Sequence, residues 1–324
     1  MKAIQGIHHI TAFAGDPQSN ADFYHFGLGQ RLVKTTVNFD DPGTYHLYYG
    51  DEAGTPGTIM TFFPWPHARR GMRGNGEVGA SAYTISAGSV GFWQKRLADF
   101  GAAVSKPETR FGAEVIPFRD PDGMPLELIV SDDRATFRLW ETGPIPAAHA
   151  LRGFHGITLW LAEAEKTATL LTEHMGYEFV GQEANRWRFK GASDDIGLFV
   201  DLLIDPNRPQ GRLGTGSVHH VAFRTRDDSE QLEYRQALSE AGFSVTSVQD
   251  RQYFHSIYFR TPGGVLFEIA TDAPGFAIDE PVEALGQTLK LPPWLEPHRT
   301  RIEAALPGLT KPGESIESKE PSHV

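Results

Sequence analysis

The sequence predicts an α+β fold built from four copies of one unit, and three observations carry that expectation. Four segments open on an alternating apolar strand. A helical stretch that stops near glycine follows each opening, and more strands follow the helix. The openings recur at intervals of about 65–75 residues, as a duplicated unit requires.

Unit 1 opens on His9 to Asp16, with a helix expected over 18–26 and stop signals at Gly27 and Gly29. Its strands are expected at 32–37, 44–49 and 58–63. Unit 2 is the faintest, with a strand at 82–85, a helix over 90–100 before Gly101, and a last strand at 126–130. Unit 3 opens at 154–159, has a helix over 164–174 before Gly176, and closes at 198–204. Unit 4 opens on His220 to Asp227, has a helix over 229–240 before Gly242, and closes with strands at 256–260 and 265–271. Connectors rich in proline and glycine, at 64–77, 132–152 and 205–216, separate the units. The expected domains are 1–150 (units 1 and 2) and 151–280 (units 3 and 4), with a C-terminal extension over 281–324.

Composition narrows the function. The chain has 324 residues, 40% of them hydrophobic and 22% charged, as in a soluble globular protein. A net charge of −11 with no basic run argues against nucleic acid as a partner. No 18-residue apolar stretch is present, so no membrane partner is expected. The first residues lack a basic and apolar leader, which points to the cytoplasm. Absence of cysteine excludes disulfides and thiolate metal ligands.

Two histidine pairs, His8-His9 and His219-His220, stand at the openings of units 1 and 4, and Glu268 stands in the last strand of unit 4. Two histidines and one carboxylate are the donor set of non-heme Fe(II) sites with open positions. Successive strand residues face opposite ways, so one histidine of each pair faces a shared cup. Seven residues separate His9 from Asp16 and His220 from Asp227. The same count gives Ser81 and Gly156 in units 2 and 3. Four residues after Gly57, Gly123, Gly197 and Gly264 stand Thr61, Glu127, Asp201 and Glu268. Pairing units 1 and 4 therefore assembles His9, His220 and Glu268, whereas units 2 and 3 offer no metal set. A rival register takes His8, His155 and His219 instead, and would place His155, His219 and Glu268 in one site.

The four-unit plan resembles the vicinal-oxygen-chelate superfamily, in which βαβββ modules pair into domains that curl around a metal. The opening Gly-Ile-His-His-Ile-Thr, the run at 37–51 and the stretch from Asp250 to Arg260 are similar to its hydroquinone-cleaving dioxygenase branch. That resemblance covers the chain from His8 to about Pro297. It implies metal ligands from the first and last modules and pocket residues Thr11, His219, Arg251 and Tyr258. It also implies Fe(II), with Mn(II) as the other occupant, acting on a small aromatic substrate and O2. The resemblance also suggests a homo-oligomer, with a homodimer as its expected form. His219 is the expected acid–base group, and Tyr258 and Arg251 would meet substrate oxygen or O2; His46 and Tyr48 rank as pocket wall or core. A catechol extradiol dioxygenase is the alternative. A glyoxalase-like isomerase or a metal-free binding protein is the alternative of another class; glyoxalases use a further acid, where this chain has Thr61. In the extension, Leu291 to Leu295 reads as extended, a short helix is expected over 301–305, and the last dozen residues read as mobile.

Overall fold

The computed structural model describes residues 3–131, 138–193 and 196–310. Unit 1 comprises β1 (Ile7–Ala14), α1 (Pro17–Ala21), β2 (Arg31–Asn38), β3 (Asp41–Gly50) and β4 (Ile59–Pro64). Unit 2 comprises β5 (Glu77–Ile85), α2 (Val90–Asp99), β6 (Ala103–Val104), β7 (Glu108–Arg110), β8 (Ala113–Arg119) and β9 (Pro125–Val130). Unit 3 comprises β10 (Phe154–Leu161), α3 (Glu165–Thr169), β11 (Glu178–Glu183), β12 (Arg186–Lys190) and β13 (Phe199–Ile204). Unit 4 comprises β14 (Val218–Thr225), α4 (Asp228–Glu240), β15 (Gln249–Asp250), β16 (Phe254–Arg260) and β17 (Leu266–Pro274). The helices of units 1 and 3 are shorter than expected as α-helix, because their second halves, Asp22–Gly27 and Leu170–His174, widen into π-helical turns.

Two curled sheets result, and each takes one unit from either half of the sequence. The first runs β15-β16-β17-β14-β1-β4-β3-β2, and the second runs β11-β12-β13-β10-β5-β9-β8-β6, with β7 against β8. Within a unit the opening strand pairs parallel with the closing one, as β1 does with β4 and β14 with β17. Between units the openings pair antiparallel, β1 with β14 and β5 with β10. The connectors after units 1 and 3 cross and pair, Arg70 with Thr215 and Met72 with Arg212. Core residues of both sheets form one apolar cluster.

Local chemistry explains both sequence rulers. Asp16 and Asp227 are helix N-caps, accepting from the backbone N–H of Ser19 (2.8 Å) and Glu230 (2.9 Å). The seven-residue count therefore measures one strand plus one cap. Gly57, Gly123, Gly197 and Gly264 all have positive φ, from +72° to +93°, ahead of the closing strand, where a side chain would be strained.

The extension packs on β2 of its own chain. Lys34, fully buried, bonds Asp279 (2.6 Å) and Glu280 (2.5 Å). Leu291 and Ile302 cluster with Val37, and Trp294 contacts Phe39 edge-on. Pro292 to Leu295 forms a turn rather than an extended segment, closed by Leu295 N–H to Pro292 O, and the helix α5 covers Arg299–Ala305. The last dozen residues lie outside the described ones. Among those described, no helix is long and apolar enough to cross a membrane.

Candidate metal centre

Strand register builds the site in two adjacent rows across the first sheet. In one row Tyr258 faces Glu268, Glu268 faces Ala222, and Ala222 faces His9. In the next, His220 faces Thr11, Thr11 faces Thr61, and Thr61 faces Tyr48. Cross-strand partners share a face. His9, His220 and Glu268 thus converge on the concave side, all buried, with one donor atom of each within 4.8 Å of the others. His220 Nε2 lies 2.8 Å from Glu268 Oε2, and His9 Nε2 lies 3.4 Å from that oxygen.

The two remaining histidines owe their positions to β-bulges. The β1–β14 ladder skips His8 between Ile7 and His9, and skips His219 between Val218 and His220. A bulge adds one residue and re-aims its side chain. His8 Nδ1 thereby lies 2.9 Å from His9 Nδ1, and His219 Nδ1 lies 2.8 Å from His220 Nδ1. The same bulge in the second sheet falls on His155, between Phe154 and Gly156. The rival register is therefore overturned: its three histidines are bulge residues, and His155 belongs to the other sheet.

The donor set fits a divalent metal. Glu268 Oε2 is buried and makes no hydrogen bond of acceptable geometry, while Ser256 donates to Oε1. Burial alone would raise the Glu268 carboxyl, but facing His9 and His220 outweigh it and hold it well below the usual range. The Nδ1 contacts leave both Nε2 atoms for a ligand role, with His8 and His219 orienting the rings. Burial, then His220, pushes His219 down to about 3, so it is neutral at pH 7. Burial and then His9 lower His8 well below 6.5.

A cavity of about 340 Å³ opens onto these groups, walled by His9, His219, His220, Arg251 and Tyr258 and by the rings of Phe13, Phe39, Phe63, Trp65 and Phe254. Arg251 donates through Nε to Tyr258 Oη (3.3 Å), and through its terminal nitrogens to Asp40 (3.1 Å) and Gln249 (2.6 Å). Burial opposes the Arg251 charge, but Tyr258 and Asp40 outweigh it. Burial, then Glu268, raises the Tyr258 phenol, which stays protonated. Thr11 does not line the cavity: it is fully buried and accepts from Thr61 (3.0 Å), which sits behind His46. His46 and Tyr48, expected as wall or core, both line the cavity and bond each other at 2.9 Å. His255, at the sheet exterior, pairs with Asp228 at 2.6 Å.

The second sheet lacks the donor set. Gly156 stands where His9 stands, facing Ala82 as His9 faces Ala222. Ala80, not the expected Ser81, faces Thr158 as His220 faces Thr11. The count rests on a capping side chain, and unit 2 has a 3₁₀ turn at Ala87–Ser89 with no side-chain cap where units 1 and 4 have a capping aspartate. Glu127 bonds Arg110 (2.8 Å), and Asp201 bonds Arg188 through both oxygens (2.8 and 2.9 Å) and Arg186 (3.0 Å).

A sequence profile of the Glyoxalase/Bleomycin resistance protein/Dioxygenase superfamily matches residues 6–128 and 153–269, and the chain belongs to that superfamily. Among its relatives, MhqO of Bacillus subtilis (strain 168), provisionally named a ring-cleaving dioxygenase, is 50% identical over 305 residues, 94% of this chain and 96% of its own. The chlorohydroquinone/hydroquinone 1,2-dioxygenase of Sphingobium indicum is 37% identical over 301 residues, 90% of this chain and 93% of its own. A crystal structure of a provisionally assigned Bacillus subtilis dioxygenase superposes with a TM-score of 0.92 at 48% identity, covering 96% of this chain and 99% of the other. Maize glyoxalase I, at 14% identity and a TM-score of 0.62 over 82% of this chain and 92% of its own, shares the fold.

Proposed function

We propose that the protein is an Fe(II)-dependent dioxygenase that opens a hydroquinone-type aromatic ring with O2. The observation that carries this reading is the buried convergence of His9, His220 and Glu268 at the end of an aromatic-walled cavity. The names of the two relatives above point the same way. Iron held by these three side chains would supply a place for a ring oxygen and O2 side by side, and a path for electrons between them.

The chain's own residues do the rest. For His220 to present a lone pair at Nε2, its proton must sit on Nδ1, donated to His219 Nδ1. Neutral His219 then carries its own proton on Nε2. The expected acid–base histidine is thus a proton donor in the resting site, suited to an oxygen on which negative charge develops. Tyr258, protonated and anchored by Arg251, adds a second proton donor, its hydroxyl, beside His220. Arg251 keeps its charge and favours an ionised ring oxygen. The rings of Phe13, Phe63 and Trp65 exclude water from the bound ring.

Thr61 weakens the isomerase alternative. It is no acid, and it spends its hydroxyl on Thr11 and His46. Protein purified without air and loaded with Fe(II) is expected to consume O2 with hydroquinone faster than with catechol. A preference for catechol would replace the substrate class; no uptake with either ring would overturn the dioxygenase reading.

A further inference from the structure

Tyr258, Arg251 and His219 all stand on the unit 4 side of the cavity. The facing wall, on β3 and β4, carries a second polar cluster that the mechanism above leaves unused. Tyr48 Oη lies 2.9 Å from His46 Nδ1, and His46 Nε2 lies 2.7 Å from Thr61 Oγ1. Thr61 continues to Thr11 at 3.0 Å. Tyr48 and His46 line the cavity, and the threonines are fully buried behind them. The carbon faces of Phe63 and Trp65 stand alongside, and the Trp65 N–H is spent on Thr44.

A neutral imidazole has one donor and one acceptor nitrogen. With its proton on Nε2, His46 donates to Thr61 and accepts from Tyr48, whose oxygen then shows the cavity only a lone pair. With its proton on Nδ1, His46 donates to Tyr48 and accepts from Thr61, and Tyr48 turns its hydrogen to the cavity. Both tautomers are neutral, and Thr61 can serve either: when it turns its proton to His46, the Thr11 hydroxyl reverses and donates to Thr61. The chain therefore presents a donor or an acceptor at one fixed point without changing charge.

Its place suits the far end of a ring. β3 lies two strands from β1, about 10 Å across the curled sheet, and both project side chains onto the concave face. Burial, then Tyr258 and Glu268, raises the Tyr48 phenol, so its oxygen stands in the field of the same site. We propose that Tyr48, tuned by His46 and backed by Thr61 and Thr11, binds the substrate oxygen farther from His9, His220 and Glu268, and meets it equally well as hydroxyl or carbonyl. This rests on the ring-cleavage reading for the class of ligand. It makes Tyr48 a determinant of para-diol recognition and His46 a positioning residue.

The test is anaerobic titration calorimetry of Fe(II)-loaded protein with hydroquinone and with phenol, which lacks the far oxygen. The wild type is expected to prefer hydroquinone by about tenfold, the scale of one buried hydrogen bond. Tyr48→Phe should reduce that preference to about twofold while phenol affinity stays within about twofold, and His46→Phe should reduce it part-way. Near-ultraviolet circular dichroism checks that each variant keeps its fold. A folded Tyr48→Phe protein with the full preference would overturn the assignment. Wild-type protein that shows the Tyr48-dependent preference yet consumes no O2 would uphold it and remove the ring-cleavage reading instead.

Discussion

In the sheet of units 1 and 4, the closing-strand acid faces two imidazoles; in the sheet of units 2 and 3, both closing-strand acids face guanidiniums. The backbone is the same at both places, down to the bulge ahead of the ligand position. What differs is the partner of a buried carboxylate. Glu268 keeps one oxygen without a hydrogen bond, beside two imidazole nitrogens. Glu127 and Asp201 are neutralised by Arg110, Arg186 and Arg188. A buried charge needs compensation; in the second sheet the chain supplies its own, and in the first an added cation would supply it. Gly156 closes the second site further, since a Cβ there would meet Phe199 O at 2.1 Å.

The largest effect should come from the first sheet. His220→Ala is expected to lose bound iron and reduce O2 uptake to background; tight iron with retained turnover would contradict the assignment. Next in size is Arg110→Ala, which leaves Glu127 buried without its partner. A loss of about 3–5 kcal/mol is expected in urea unfolding, with metal content unchanged. Replacing both, Arg110→Met with Glu127→Leu, should restore most of it, and a double variant as unstable as the single one would show that the pair does more than neutralise.

Smaller again is His8→Phe, which removes the acceptor that orients His9. Metal affinity should fall by about 10–100-fold, measured by competition with a chelator. The smallest effect is in pH. His219 titrates near 6.5 when unfolded and at about 3 in the fold. Between those values the unfolded chain binds more protons, so stability falls as pH is lowered, by up to about 1.4 kcal/mol per unit for one such group. Urea unfolding of metal-free His219→Phe at pH 7 and pH 5 should show a shallower loss than the wild type; an equal loss would contradict the buried neutral state.

The sequence showed the parts of this comparison that depend on local signals. A capping aspartate seven residues after a histidine, and a glycine four residues before an acid, are both confined to one unit, so counting located His9, His220 and Glu268. Features that need two strands at once were hidden. The bulges at His8 and His219 exist only in the pairing of β1 with β14, which are separated by two other units. Thr11 looked like a pocket residue because it shares a face with His9; that Thr61 and His46 stand between it and the cavity depends on β3 and β4. Ser81 is one residue off because unit 2 has no capping aspartate to count from. The arginines of the second sheet lie on β7 and β12, outside the strands that the counting reached.

Metal content per chain tests the central claim most directly. Anaerobically purified protein, reconstituted with Fe(II) and desalted, should hold one iron per chain. That iron should disappear in His220→Ala and remain in Asp201→Asn. Two irons per chain, or one that survives in His220→Ala and is lost from Asp201→Asn, would contradict the assignment of a single site to the first and last units.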